Sequence, residues 1–191
     1  MNQASTATWN EKELVALAQQ GDRHAFGDLI RQHHRGVINV VYRLCGDTQL
    51  AEDAAQEAFI RAWQNLDRFR PQSSSANPFR NWVYRIATNA ALDMLRRERP
   101  TSDIADLPLA SPNPGPEDSL EDRQRSSQVH QAVLALSPAS RTALILREYE
   151  GLSYQEIAET LEIPIGTVMS RLNHARRQLR QSLEPLLEEA T

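Results

Sequence analysis

The chain has 191 residues, enough for one ordinary domain or two small ones, and 25 acidic against 21 basic residues give a formal charge of −4. A single cysteine, Cys45, excludes an internal disulfide framework, and no apolar run approaches the ~20 residues needed to span a bilayer. The opening "MNQASTATWNEKE" lacks the apolar core of a secretory signal, so a cytoplasmic protein without membrane insertion is expected.

Helical patterning runs from the N-terminus, and we expect an all-α protein. Asn10 followed by Glu13 forms a capping box that opens a helix carrying Leu14, Val15, Leu17 and Ala18. Gly21-Asp22 ends it and caps the next, which carries Phe26, Leu29 and Ile30. Gly36 is expected to interrupt that helix before "VINVVYRLCG" continues to Gly46. The run Val37, Ile38, Val40 and Val41 suits a strand by propensity, but its helical neighbours favour a buried helix. Asp47 starts another, from Ala51 to about Asn65, with acids at Glu52, Asp53 and Glu57. Asn77-Pro78 sets a capping side chain before a proline at the first helical position and predicts a helix from Pro78 to about Glu98. Residues 100–116 are rich in Pro, Ser and acids with no apolar period, the composition of a flexible tether.

Helices resume from Glu117. Ser137-Pro138 repeats the cap-plus-proline signal, Gly151 closes that helix, and Ser153 with Glu156 forms a second capping box. In "SYQEIAETLEIPIGTVMSRLNHARRQL" the first helix turns Ile157, Ala158 and Leu161 inward, and Pro164 prevents it from continuing. The second helix buries Val168, Leu172, Ala175 and Leu179 and leaves Met169, Ser170, Asn173, His174 and Arg177 on its outer face. A helix so presented fits a DNA major groove, with Arg171, Arg176 and Arg180 as phosphate contacts. The plainer reading is an αα-hairpin with solvated arginines. The tight turn, the paired apolar stripes and the lack of any acid between Gly166 and Arg180 favour DNA.

Net charge alone argues against nucleic acid, but the distribution reverses that inference. Acids gather around Glu52 to Glu57 and again from Asp103 to Asp122, while arginines gather at Arg96, Arg97 and Arg99 and along the last helix. The helix from Pro78 begins with Phe79, Trp82 and Tyr84 and carries a polar stripe of Arg85, Asn89, Asp93 and Arg96. Aromatics beside a basic surface suit single-stranded nucleic acid, although each could equally be core. No enzyme chemistry is indicated. His24, His33, His34 and His130 have no metal-ligand spacing with Cys45, and no phosphate loop or nucleophile–base arrangement occurs, so neither metal nor cofactor is expected. An alternative from another class is a one-component regulator with an N-terminal sensor domain.

Taken together, "GDRHAFGDLIRQH", "DAAQEAFIRAWQNLDRF", "FRNWVYRIATNAALDMLRR" and "EGLSYQEIAETLEIPIGTVMSRLNHARRQLR" resemble, in order, the extracytoplasmic-function sigma factors of the sigma-70 family. The resemblance implies region 2 over 1–99, a linker over 100–116 and region 4 over 117–191. It implies that Glu52, Asp53, Ala54, Ala55, Gln56, Glu57, Phe59, Ile60 and Trp63 dock on the clamp helices of the largest subunit of core RNA polymerase, with region 4 near the flap. Asn77, Phe79, Arg80, Trp82, Tyr84, Arg85, Asn89, Asp93, Arg96 and Arg97 would open and read the minus-ten element. Ser153, Tyr154, Thr167, Met169, Ser170, Arg171, Asn173, His174, Arg176 and Arg177 would read the minus-thirty-five element. An anti-sigma partner, membrane-anchored or free, and a role in a stress or envelope response are implied as well. Two departures stand out. The loop from Pro71 to Pro78 is longer than usual, and Met169 and His174 replace residues that are commonly cationic in the family.

Overall fold

The computed structural model describes residues 10–71, 75–98 and 120–188, and every regular element among them is helical. Helices α1 (Glu11–Gln19), α2 (Arg23–Cys45), α3 (Thr48–Gln64) and α4 (Pro78–Glu98) form a first group. Helices α5 (Leu120–Leu134), α6 (Pro138–Glu148), α7 (Tyr154–Leu161) and α8 (Ile165–Glu188) form a second. The tether expected over 100–116, and the helix start expected at Glu117, lie outside the described residues.

Local chemistry sets most of the boundaries. At α1, Glu13 N–H donates to Asn10 Oδ1 and Asn10 N–H to Glu13 Oε2, each at 3.0 Å, the reciprocal box the sequence predicts. Asp22 accepts from His24 N–H at 2.8 Å and Ala25 N–H at 3.2 Å, and Gly46, at φ 78°, ends α2 in the left-handed region that glycine occupies without cost. Asp47 caps α3, Ser137 caps α6, and Ser153 with Glu156 boxes α7. Such caps are worth about 1 kcal/mol each.

Two boundaries differ from expectation. Helix α2 does not break at Gly36 but runs unbroken through it. A methyl group there would lie 2.7 Å from the Tyr84 hydroxyl, so the glycine serves close approach between α2 and α4 rather than a turn. The start of α4 is likewise not capped by Asn77; the acceptor comes from α1, as described below.

Alanines decide how the first group packs. Ala51, Ala54, Ala55, Ala58 and Ala62 of α3, with Ala87 and Ala91 of α4, are fully buried, and their small side chains let the two helices approach closely. Around them close Leu29, Val37, Val41, Leu44, Phe79 and Val83. The β-branched run in α2 is therefore helical, with Val37, Val40 and Val41 buried in this core and Ile38 half-buried against it. In the second group Ile145, Leu146, Leu152, Ile157, Val168, Leu172 and Ala175 fill the centre, and the two cores join into one contiguous cluster.

Candidate nucleic-acid interface

Helix α3 divides its expected docking residues between two faces. Glu52, Asp53, Gln56, Ile60 and Trp63 are exposed and Glu57 is half-buried, with Ile60 45% and Trp63 38% open. Four-residue spacing puts Glu52, Gln56 and Ile60 in one row, so carboxylate, amide and apolar groups share a stripe. Trp63 is held by Phe26, ring centroids 4.8 Å apart, which fixes the exposed edge of the indole. Ala54, Ala55 and Phe59 point the other way, into the core, and offer no surface. Glu57 is paired with Arg61 at 2.6 Å.

Helix α4 is more enclosed than the sequence suggests. Phe79 is fully buried and Tyr84 is 2% exposed, so neither presents a ring for stacking in this conformation, contrary to expectation. Phe79 is enclosed within the first group, by Phe26, His33, Phe69 and Trp82, whereas the Tyr84 hydroxyl lies between Gly36 of α2 and Glu150 of the second group. Trp82 is half-buried, stacked on Phe69 at 4.6 Å, and Phe79 meets both rings edge-on. Arg80 and Arg85 are half-buried and Asn77 is partly open, while Asn89, Asp93, Arg96 and Arg97 are exposed, with Arg96 bound to Asp93 at 3.2 Å.

Helices α7 and α8 make the turn that the sequence predicts. Glu162 takes φ 53°, Ile163 N–H donates to Ala158 O at 3.0 Å, and Pro164 separates the helices. Val168, Leu172 and Ala175 are fully buried and Leu179 is half-buried. Met169, Ser170, Asn173, His174, Arg176 and Arg177 stand exposed in a row, with Thr167, Arg171 and Tyr154 half-buried beside them and Ser153 exposed. Arg176 is held by Glu148 at 2.9 Å and by the Tyr154 hydroxyl at 3.3 Å, which raises its pKa. From Gly166 to Arg180 that leaves a cationic helix surface with no acid of its own, of groove-reading shape.

The two groups meet over α4. The Tyr84 hydroxyl donates to Glu150, Arg85 pairs with Glu162, and the Ser75 hydroxyl donates to Glu156 Oε1 at 2.7 Å. Burial, and then the Glu150 carboxylate, push the Tyr84 pKa well up. Burial pushes Glu156 upward too, but donors from Ser153 and Ser75 outweigh it and hold its pKa below the usual carboxylate value. On the other flank, Arg141 of α6 is buried and donates to Leu44 O at the C-terminus of α2, where a cation suits the helix dipole. His130 stacks on Tyr42 at 5.6 Å and Arg43 lies 4.3 Å over the Tyr149 ring. Between the groups runs a cleft of about 1190 Å³, with Arg61, Arg68, Arg70 and Arg85 on one wall and Glu159 and Glu162 on the other. Sequence reasoning missed Glu11, Ser75, Arg141 and Glu150, and it saw neither the reach of the Glu156 capping residue to Ser75 nor the stacking of His130 on Tyr42. These partners are remote in the chain, and no local pattern marks the contacts.

Fold and surfaces define a two-part helical DNA-binding protein whose second part is a helix-turn-helix. Residues 29–101 match the family of sigma-70 region 2 and residues 126–179 that of sigma-70 region 4. The chain is 38% identical over 192 residues to the RNA polymerase sigma-H factor of Pseudomonas aeruginosa, covering 94% of this chain and 97% of the relative. It is 33% identical over 186 residues to the ECF RNA polymerase sigma factor SigW of Bacillus subtilis, covering 92% and 97%. Among solved structures it is similar to CnrH in complex with the cytosolic domain of CnrY, with a TM-score of 0.70 at 26% identity over 92% of this chain and 97% of that one. The chain belongs to the extracytoplasmic-function sigma factors of the sigma-70 family. Members are transcription initiation factors, not enzymes; they bind core RNA polymerase and promoter DNA. Relatedness over nearly the whole length sets aside the one-component regulator.

Proposed function

We propose that the sigma factor works through three separate surfaces. The exposed stripe of α3, from Glu52 to Trp63, docks on the clamp helices of core polymerase. Helix α4 opens and reads the minus-ten element through Asn77, Arg80, Trp82, Arg85, Asn89, Arg96 and Arg97. The outer face of α8, with Ser153 and Tyr154 at the start of α7, reads the minus-thirty-five element. We divide the chain as region 2 over 1–99, a linker over 100–116 and region 4 over 117–191, and place its action in the cytoplasm. A cytosolic anti-sigma domain restrains it, a reading supported by the likeness to CnrH in complex with the cytosolic domain of CnrY.

One observation carries this reading: α8 lies open while the first half of α4 lies covered. The Glu150 and Glu162 contacts seat region 4 on the minus-ten helix and Glu156 holds Ser75 just before it, so strand opening requires that region 4 swing away. Core polymerase supplies the force for that by binding both parts at separated places. The free protein therefore binds duplex promoter weakly, and core polymerase turns it into an initiator at defined sites. Reconstituted transcription with core polymerase over a promoter library tests this. Initiation at a defined set of sites is expected. Tight duplex binding by the free protein without stimulation of initiation would overturn it. Reversing charge at Asp53 and Glu57 is expected to weaken capture of core polymerase while leaving the helical signal intact, and unchanged capture removes the docking assignment.

A further inference from the structure

Helix α4 begins without using the cap its own sequence offers. Asn77 precedes Pro78, yet among the described residues its side chain makes no hydrogen bond, and its own N–H donates to Ser75 Oγ at 3.2 Å. The donors of the first turn go elsewhere. Phe79 N–H donates to Glu11 Oε1 at 2.8 Å and Arg80 N–H to Glu11 Oε2 at 3.2 Å. Pro78 has no N–H to satisfy, so this one carboxylate takes the two amides that a side-chain cap normally serves.

Glu11 is the first residue of α1, is 4% exposed, and lies outside the segment matched by the region 2 family. His33 Nε2 sits 2.9 Å from Glu11 Oε2 but off the line of a hydrogen bond. A buried carboxylate suits the positive end of a 21-residue helix, and two bonds to adjacent amides fix the direction of that end as well as its position. These contacts lie within the first helical group, whereas the Ser75–Glu156 bond joins the two groups.

We propose that Glu11 is a positioning residue for promoter opening. By capping α4 in place of Asn77, it holds the start of the minus-ten helix still and frees the Asn77 amide to meet the displaced strand. This rests on the reading of α4 as the minus-ten helix.

The test uses the full chain with core polymerase, on a promoter from the library and on the same promoter pre-melted. Glu11→Gln and Glu11→Ala are expected to bind core polymerase as the parent does and to lower permanganate reactivity of the minus-ten thymines on duplex about tenfold, the scale of a lost cap. The pre-melted template is expected to restore transcription, and Glu11→Asp to recover part of the duplex activity. In amide spectra of the free protein, Phe79 and Arg80 should shift and exchange faster in Glu11→Gln while α8 is unmoved. Asn77→Ala should leave the melting temperature alone in the parent but lower it beside Glu11→Ala, where Asn77 is recruited back as a cap. Equal loss on both templates, or unmoved Phe79 and Arg80 amides, overturns the role. Trp82→Ala separates the two readings. If it opens duplex normally, α4 is not the opener and the proposal falls with it. If it is impaired while the Glu11 variants are not, only the positioning role falls.

Discussion

Met169 occupies the first turns of α8 at 44% exposure, flanked by Ser170 and backed by the buried Val168. Its thioether can touch a thymine methyl but cannot make the bidentate contact by which arginine selects guanine, worth ~1–3 kcal/mol. Met169→Arg is therefore expected to tighten binding and shift preference toward guanine at a single minus-thirty-five position, as read by selection from a promoter library. An unshifted preference means that this side chain does not face the bases. Tyr84 carries the opposite lesson. Its ring is core and its hydroxyl spans to Glu150, so Tyr84→Ala is expected to cost about 3–5 kcal/mol in denaturant unfolding. Transcription from duplex and pre-melted templates should then fall together. Rescue by the pre-melted template alone would return Tyr84 to the stacking role that its sequence context suggests.

Elements whose ends are fixed by neighbours in sequence were legible beforehand. Asn10 with Glu13, Asp22, Asp47, Ser137 and Ser153 with Glu156 all cap where their spacing places them, because a cap and its amides lie within a few residues. The face of α8 was legible for a similar reason: its apolar period states which side is buried. By contrast, the α4 aromatics were ambiguous, since periodicity cannot say which partner covers a helix on its second side. The Glu11 cap and the Arg141 bond to Leu44, 68 and 97 residues apart in sequence, have no local signature at all. The seam of α5 on α2 makes a prediction of this non-local kind. Burial, then the charges of Arg43 and Arg141, hold the His130 pKa below its ordinary 6.5. A lowered value means the neutral ring is favoured in the packed form. The contribution is thus full above pH 6.5 and is lost as pH falls through the lower native value. His130→Phe keeps a ring against Tyr42 but cannot ionise. Between pH 7 and pH 5 the parent should lose more melting temperature than this variant, by the share His130 carries. Parallel curves for the two proteins mean that the seam does not sense protons.

Across the whole molecule, the question is which contacts hold region 4 over α4. The Arg85–Glu162 pair is a weak candidate, because Glu162 is 69% exposed and exposed pairs contribute only ~0–1 kcal/mol. Tyr84–Glu150 is the stronger one: the donor is buried, and removing its acceptor strands a phenol at a cost of ~1–3 kcal/mol in the closed form only. Beneath both lies the joined apolar core, which side-chain changes at the rim do not remove. Loosening should therefore be graded. Glu162→Lys alone is expected to change little, Glu150→Ala to open the protein measurably, and the pair to open it further. A fluorescent pair on Gln64 of α3 and Gln181 of α8 reports that opening as a loss of energy transfer. An oligonucleotide carrying the minus-ten non-template strand should then bind the free Glu150→Ala protein up to ~10-fold more tightly than the parent. Duplex carrying only the minus-thirty-five element should bind both alike, since α8 is exposed before and after. Should oligonucleotide binding stay at the parent level while energy transfer falls, α4 is not what region 4 conceals, and the minus-ten surface lies elsewhere on the first group. If neither changes, the apolar seam holds the closed form without help from Glu150, and polymerase must separate the two cores directly.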